Sequence, residues 1–269
     1  GYDIDSQTDM FKKYWPADIH VIGKDIIRFH TIYWPCFLMS LDLPLPKQVF
    51  GHPWVIMSDG KMSKSKGNVL YADDLVNEFG VDAVRYYFLH EIPFASDGVF
   101  SKDLLIERIN GDLANILGNL VQRTISMANK YFDGKVTNKK VYDDIDADFI
   151  MNINNLDSKV TEKMDKLQIC DAITEIFNLL RLSNKYIDET TPWVLAKDDA
   201  LKDRLETVLY NLLEAIRVSA VFLAPFLTDT SDKIFSQLSN DKKDFSYLDD
   251  NNYSLGQPSP LFMRIDIKK

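Results

Sequence analysis

The sequence contains little cysteine, and the cysteines it has are far apart. Only Cys36 and Cys170 occur among 269 residues. This spacing excludes a CxxC-type zinc site and a disulfide framework. Disulfide frameworks are typical of secreted proteins, so their absence favours a reducing compartment, and we predict a cytoplasmic location.

Positive charge is scarce relative to negative charge. Lys and Arg number 31 against 40 Asp and Glu, which gives a net charge of −9. This balance argues against binding nucleic acid by bulk electrostatic attraction, while local basic patches stay compatible with it. No apolar run approaches the roughly 20 residues needed to cross a bilayer, so we predict no membrane association.

The first hundred residues contain an alternation of short apolar segments. Residues 19–22 read as a strand, residues 25–34 have apolar side chains at helical spacing, and residues 49–57 are again strand-like. Strand, helix and strand in this order predict a parallel α/β unit. Pro35 should kink or end the helix, because proline lacks the N–H that the helix needs.

From Ser101 onward the pattern is that of amphipathic helices, with apolar residues recurring every three to five positions. A long helix to about Tyr131 is predicted, with others at 149–164, 170–186, 205–222 and 228–238. The segment 205–222 is apolar nearly all round, so it should lie at the centre of a bundle. We therefore predict a mainly α fold with an α/β part, divided into domains 1–100 and 101–269.

A cluster of lysines and serines, KMSKSKGN, occupies residues 61–68. Ammonium groups on a loop are steerable charges that suit a polyphosphate, and serine hydroxyls add hydrogen-bond donors. Most clusters of this composition are solvated basic loops, so composition alone leaves both interpretations open.

Gly23, Lys24 and Asp25 stand at the carboxyl end of the first predicted strand. Open α/β sheets bind ligands at that end, where glycine allows close approach and Asp can accept from ribose hydroxyls. An Asp that caps the following helix is the alternative, and spacing alone favours it.

An aromatic group follows on the predicted helix and could line a pocket for a flexible apolar side chain. Its members are Phe29, His30, Tyr33 and Trp34, with Ile26 one turn earlier. Core packing is the alternative, since it explains most aromatic stripes.

Two features of the helical region suit an unpaired nucleotide base. Asn119 and Arg123 are one turn apart, so their amide and guanidinium groups share a helix face. Trp193 follows Pro192, and an indole held by a proline is a stacking platform for a base. Alone, a solvated helix face and a capping tryptophan would be preferred. The sequence offers no defensible Ser/His/Asp set, paired-carboxylate site or metal cluster.

Together these segments resemble the methionyl-tRNA synthetase family of class I aminoacyl-tRNA synthetases. The string KMSKS at 61–65 is similar to the motif of that class, and GKDI at 23–26, FH at 29–30 and YWP at 33–35 are similar to a second family segment. Leucyl, isoleucyl and valyl enzymes share the loop, but they do not share the aromatic segment followed by this bundle.

The resemblance implies a fold, a reaction and a set of site residues. The fold would be the C-terminal half of a Rossmann-like class I catalytic domain followed by an α-helical anticodon-binding domain. The reaction would form methionyl-adenylate from methionine and ATP, with Mg²⁺, and then transfer methionine to its tRNA. The implied residues are Lys61 and Lys64 for catalysis; Gly23, Asp25, Lys61, Ser63 and Lys64 for ATP; Ile26, Phe29, His30, Tyr33 and Trp34 for methionine; and Asn119, Arg123, Pro192 and Trp193 for the anticodon.

Part of the family pattern is missing from the sequence. The HIGH tetrapeptide, the upstream part of the methionine pocket and the zinc-carrying insertion of some members do not occur. We therefore expect a fragment without a zinc site that needs an N-terminal catalytic half, in the same or a separate chain, to be active. The alternatives are another class I synthetase and a non-catalytic anticodon-binding module that acts in trans.

Overall fold

The computed structural model describes residues 6–58, 69–93 and 96–266. The chain forms two compact units and passes between them more than once. The α/β unit comprises residues 1–61 and 93–100, and the helical unit comprises residues 62–92 and 101–269. Within the described ranges, every helix is too short or too polar to span a membrane.

The α/β unit contains the predicted parallel strands. β1 (Ile19–Gly23) pairs in parallel with β2 (Gln48–His52), and β3 (Val55–Ile56) pairs in parallel with β4 (Gly98–Val99). The other elements are α1 (Asp9–Tyr14), a 3₁₀ turn (Lys24–Ile26), a π-helical segment (Phe29–Tyr33) and α2 (Trp34–Ser40). The predicted strand at 49–57 is instead two strands, because Pro53 has no N–H to contribute to the ladder.

The sequence predicts that Pro35 kinks or ends the helix after β1, and of these two alternatives the helix does not end there but continues to Ser40. The Trp34 N–H donates to the Phe29 carbonyl oxygen, five residues back, which closes a π turn. Pro35 then falls at the start of α2, where a missing N–H costs little. The helix therefore accommodates Pro35 by forming a π turn just before it.

The helical unit confirms the predicted mainly α fold. Its helices are α3 (Ala72–Phe79), α4 (Val81–Glu91), α5 (Lys102–Arg108), a π-helical segment (Ile109–Gly118), α6 (Asn119–Phe132), α7 (Asp144–Asn154), α8 (Leu156–Asp165), α9 (Ile169–Thr190), α10 (Pro192–Leu195), α11 (Lys202–Leu223) and α12 (Thr228–Leu238). β5 (Lys135–Thr137) pairs antiparallel with β6 (Asn252–Ser254). Every residue of α11 from Arg204 to Leu223 is buried, which confirms its predicted central place.

A fully buried ion pair on α11 makes hydrogen bonds to residues 244–253, in the segment that follows α12. Arg217 Nη2 lies 2.7 Å from Glu214 Oε2, and both side chains are 0% exposed. Arg217 also donates to the carbonyl oxygens of Asp244 (2.7 Å) and Ser246 (2.6 Å), while Glu214 accepts from the Tyr253 hydroxyl at 2.6 Å. Several hydrogen bonds therefore compensate the cost of burying these two charges.

Helix α4 belongs to the helical unit, and two of its side chains bond to the chain around the start of α12. The Asp82 carboxylate accepts from the Thr230 N–H and hydroxyl, both at 2.6 Å, and so caps the first turn of α12. Arg85 donates to the carbonyl oxygens of Pro225 and Phe226 at 2.8 and 2.7 Å. These contacts span about 140 residues of sequence, beyond the reach of local periodicity.

Candidate functional site

The end of β1 brings a carboxylate against the backbone. Gly23 ends the strand, and Asp25 lies in the 3₁₀ turn that follows, inside that turn and not at its N-cap. A Cβ atom at Gly23 would lie 2.6 Å from Asp25 Oδ1, so any larger residue would displace the carboxylate. A residue with a Cβ at position 23 would therefore require the Asp25 side chain to shift.

Lys24, between these two residues, is held by a residue from a distant segment. Its Nζ lies 2.5 Å from Asp97 Oδ1 and 4.5 Å from the ring centre of Trp54. The same Asp97 oxygen accepts the Trp54 backbone N–H at 2.9 Å. The bond from Lys24 lowers the pKa of the Asp97 carboxyl below its usual value, so this group is a carboxylate at neutral pH. Trp54 Nε1 in turn lies 3.5 Å from Asp25 Oδ1.

An aromatic hollow of about 390 Å³ lies along the π-helical segment and α2. Its lining residues are His20, Phe29, His30, Tyr33, Trp34 and Phe37. Four of the five residues implied for methionine are therefore brought together, whereas Ile26 is not part of the lining. Phe29 is 57% exposed and Phe37 is 61% exposed, so these rings do not form a packed core within the chain.

Trp15 supports one side of this hollow. Its indole N–H donates to the Pro44 carbonyl oxygen at 3.0 Å. Its ring meets those of Trp34 and His20 edge to face, with centroid distances of 6.2 and 6.3 Å. A ring anchored at one end by a hydrogen bond can hold both neighbours in place.

The residues implied for phosphate binding, Lys61, Ser63 and Lys64, lie outside the described residues. Within the described part of the chain, no cluster of three or more His, Cys, Asp or Glu side chains is arranged to hold a metal ion.

In the helical unit, Asn119 and Arg123 lie on α6 with their side chains exposed. Asn119 Nδ2 donates to Asn115 Oδ1 at 2.9 Å, one turn earlier. Arg123 Nη2 lies 3.9 Å from Asp188 Oδ1, on the last turns of α9. Residue 123 is thus placed beside the end of the helix that leads to Trp193.

A left-handed residue connects α9 to the short helix that carries Trp193. Thr191 has φ +42°, and this backbone conformation turns the chain into α10. Pro192 is buried at the start of α10, whereas Trp193 is 42% exposed. The indole thus follows a buried residue and presents part of its surface to solvent, where a base could stack on it.

Sequence reasoning missed several residues around these sites. Phe37 had a signal, since it lies one helical turn after Tyr33 on the same apolar face. His20 could be placed only after the strand and the helix were packed together. Asp97 had no signal, because it lies 73 residues from its partner Lys24.

Comparison with known proteins identifies both regions. Residues 2–125 match the family described as tRNA synthetases class I (M), and residues 136–258 match the anticodon binding domain of methionyl tRNA ligase. The chain is 50% identical to the methionine–tRNA ligase of Clostridium perfringens, with 100% of this chain and 42% of that protein covered. It is 47% identical to that of Bacillus subtilis, again over 100% of this chain and 42% of the relative.

A solved structure agrees with these matches. Mycobacterium tuberculosis methionyl-tRNA synthetase in complex with methionyl-adenylate superimposes with a TM-score of 0.91 at 38% identity, over 97% of this chain and 52% of that one. The chain thus spans about two fifths of the curated relatives and half of the solved one. The chain therefore combines the C-terminal part of a Rossmann-like catalytic domain with an α-helical anticodon-binding domain, and the catalytic match extends to residue 125, into the helical unit. The chain belongs to the methionyl-tRNA synthetase family of class I aminoacyl-tRNA synthetases.

Proposed function

We propose that the complete protein containing this chain is a methionine–tRNA ligase. It forms methionyl-adenylate from methionine and ATP and then transfers the methionyl group to methionine tRNA. Residues 1–100 belong to its catalytic domain and residues 101–269 to its anticodon-binding domain. The observation that supports this most is that a class I synthetase match and a methionyl anticodon-domain match follow one another on one chain.

ATP is bound at the carboxyl end of β1 and by the lysine-rich segment. Gly23 and Asp25 hold the ribose, because the carboxylate lies at the strand end and can accept from sugar hydroxyls. Lys61, Ser63 and Lys64 bind the phosphates, and the two lysines stabilise the charge that develops on the leaving pyrophosphate. Mg²⁺ accompanies ATP and is held through its phosphates.

Methionine occupies the aromatic hollow. Aromatic ring edges make favourable contacts with a thioether sulfur, and the hollow supplies several such rings. Phe29, His30, Tyr33 and Trp34 form most of its lining, and Ile26 completes the substrate contacts from one turn earlier.

The anticodon is read in the helical unit. Asn119 and Arg123 present hydrogen-bonding groups to base edges, and Trp193, held by Pro192, stacks on an unpaired base. An acidic protein can use such a local site because it depends on stacking and directed hydrogen bonds more than on net charge.

The remaining part of the ATP and methionine sites comes from an N-terminal half that carries the family's HIGH motif. This half belongs to the same chain or to a separate one, and the assembled enzyme works in the cytoplasm. Without it, residues 1–269 do not activate methionine.

Exchange and tRNA binding in the complete protein test this proposal together. The wild type should catalyse methionine-dependent exchange of pyrophosphate into ATP, and residues 1–269 alone should not. Trp193→Ala should weaken cognate tRNA binding roughly 5- to 150-fold, the value of one base–aromatic stack, and leave exchange unchanged. Phe245→Ala is a matched control, because this ring is 52% exposed on the same unit.

Two results would contradict the proposal. If the wild type shows no methionine-dependent exchange, the ligase assignment is wrong. If exchange is present but Trp193→Ala binds cognate tRNA as tightly as Phe245→Ala does, the anticodon assignment is wrong. Specific tRNA binding without any exchange would instead favour a non-catalytic binding module.

A further inference from the structure

Asp97 supplies a carboxylate near the end of β1 that the proposed reaction does not use. Asp97 precedes β4, far in sequence from the end of β1, yet its Oδ1 is shared by the Lys24 ammonium and the Trp54 backbone N–H. The pair is partly shielded, with side chains of Lys24 and Asp97 39% and 31% exposed. A single oxygen atom thus ties together the segments around residues 24, 54 and 97.

This contact reaches Asp25 through the tryptophan. Lys24 lies over the Trp54 ring at 4.5 Å, and the Trp54 indole nitrogen lies 3.5 Å from Asp25 Oδ1. Asp97 therefore fixes the backbone of Trp54 directly and its ring through Lys24. The Lys24 ammonium thus contacts the Asp97 carboxylate and the Trp54 ring at the same time, and we infer that its main role is to hold them together.

A second Lys–Asp pair in the same unit offers a contrast. Lys47 contacts Asp18 just before β2 and β1 begin, at the opposite end of this parallel pair of strands. Its side chains are 70% and 79% exposed, and among the described residues the oxygen that pairs with Lys47 accepts no backbone N–H. The two pairs share their chemistry and differ in which end of the strands they occupy.

We propose that Asp97 is a positioning residue for ATP. It holds Lys24 and Trp54 so that the Asp25 carboxylate stays directed toward the ribose. This assignment rests on the proposed function, and it concerns ATP and not methionine. Loss of the pair should therefore change the two substrates' KM values differently.

The experiment compares Asp97→Asn with Asp18→Asn in the complete enzyme. Asparagine keeps an oxygen for the Trp54 N–H but removes the negative charge that holds Lys24. We expect Asp97→Asn to raise the KM for ATP in pyrophosphate exchange roughly threefold to tenfold, the effect of losing one hydrogen bond of ordinary net strength. The KM for methionine should stay within about twofold of wild type. Asp18→Asn should change neither value.

A double-mutant cycle tests whether Lys24 and Asp97 act together. Lys24→Met should reproduce the increase in the KM for ATP, and combining it with Asp97→Asn should add little further. Additive effects, or an unchanged KM for ATP in Asp97→Asn, would overturn the assignment. Equal increases in the KM values for ATP and methionine would also overturn it, because they indicate a general structural role. The same holds if kcat and Tm fall while both KM values stay unchanged. No methionine-dependent exchange in the wild type would overturn the proposed function, and this assignment with it.

Discussion

The two units of this chain bury their apolar residues in different ways. In the helical unit, α11 is buried over its whole central length and is enclosed by helices of the same unit. In the α/β unit, Val21 on β1 is 59% exposed, and Phe29 and Phe37 are exposed to a similar extent. Amphipathic helices can close a core among themselves, whereas a parallel strand pair needs cover on both faces. The helical unit is thus complete as a core, and the α/β unit is open at the site where substrates are proposed to bind.

The two units also differ in how deeply they bury polar and charged groups. The helical unit encloses tyrosine hydroxyls and charged side chains in hydrogen-bonded networks, such as Asp146 with Tyr186, Arg204 and Asn211. The described ion pairs of the α/β unit lie nearer to solvent. Electrostatic changes should therefore affect the stability of the helical unit far more than that of the α/β unit.

The largest expected effect is loss of the helical unit at high pH. Burial, reinforced by Asp146 and Glu214 respectively, raises the pKa of Tyr186 and Tyr253 above their ordinary value of 10.0. The folded protein therefore keeps these protons to higher pH than the unfolded chain does. The stability they contribute is complete below pH 10 and is lost as the pH rises toward the folded-state pKa values.

Urea unfolding followed by helical circular dichroism between pH 8 and pH 11 would measure this. The free energy of unfolding should fall steeply above about pH 10. Because lysines also titrate in this range, Tyr186→Phe and Tyr253→Phe identify the tyrosine contribution, and each should flatten the slope. Identical slopes in wild type and both variants would contradict the prediction.

The sequence could predict the features that depend on local patterns, but not those that depend on contacts between distant segments. The strand at 19–22 and the helix at 228–238 follow local patterns, and both occur close to the predicted bounds. Aromatic spacing on one helix predicted most of the hollow. The Lys24–Asp97 pair could not be predicted, because it joins segments that are brought together only by folding.

Two prolines produce local irregularities whose form the sequence pattern does not specify. A π turn precedes Pro35 and the helix continues past it, and Pro53 divides what reads as one strand. In both cases the local rule about the missing N–H was correct. The structure satisfies that rule by a rearrangement that the sequence pattern does not specify.

A smaller effect is expected from removing one member of the buried ion pair. Arg217→Met leaves Glu214 charged and buried without its cation, and it removes the donors to the carbonyl oxygens of Asp244 and Ser246. We expect a loss of about 3–5 kcal/mol in the free energy of unfolding, measured in urea at neutral pH. The double variant Glu214→Leu with Arg217→Met should lose less than Arg217→Met alone, because no uncompensated charge remains. A double variant at least as unstable as the single one would show that the surrounding hydrogen bonds, from Arg217 to the carbonyl oxygens and from Tyr253 and its neighbours to Glu214, outweigh the ion pair.

The smallest expected effect is the matching substitution in the α/β unit. Lys47→Met also removes a cation from an ion pair, but both side chains of the Lys47–Asp18 pair are mostly in solvent. Water and salt screen this attraction, and ordering two long side chains opposes it, so the expected loss is below about 1 kcal/mol.

Measuring Lys47→Met and Arg217→Met in the same chain, by the same unfolding experiment, compares the effect of burial directly, because a cation is replaced by Met in both variants. A loss for Lys47→Met close to that for Arg217→Met would mean that this pair is far better shielded from solvent than its exposure indicates. The two units would then not differ in how strongly solvent screens their ion pairs.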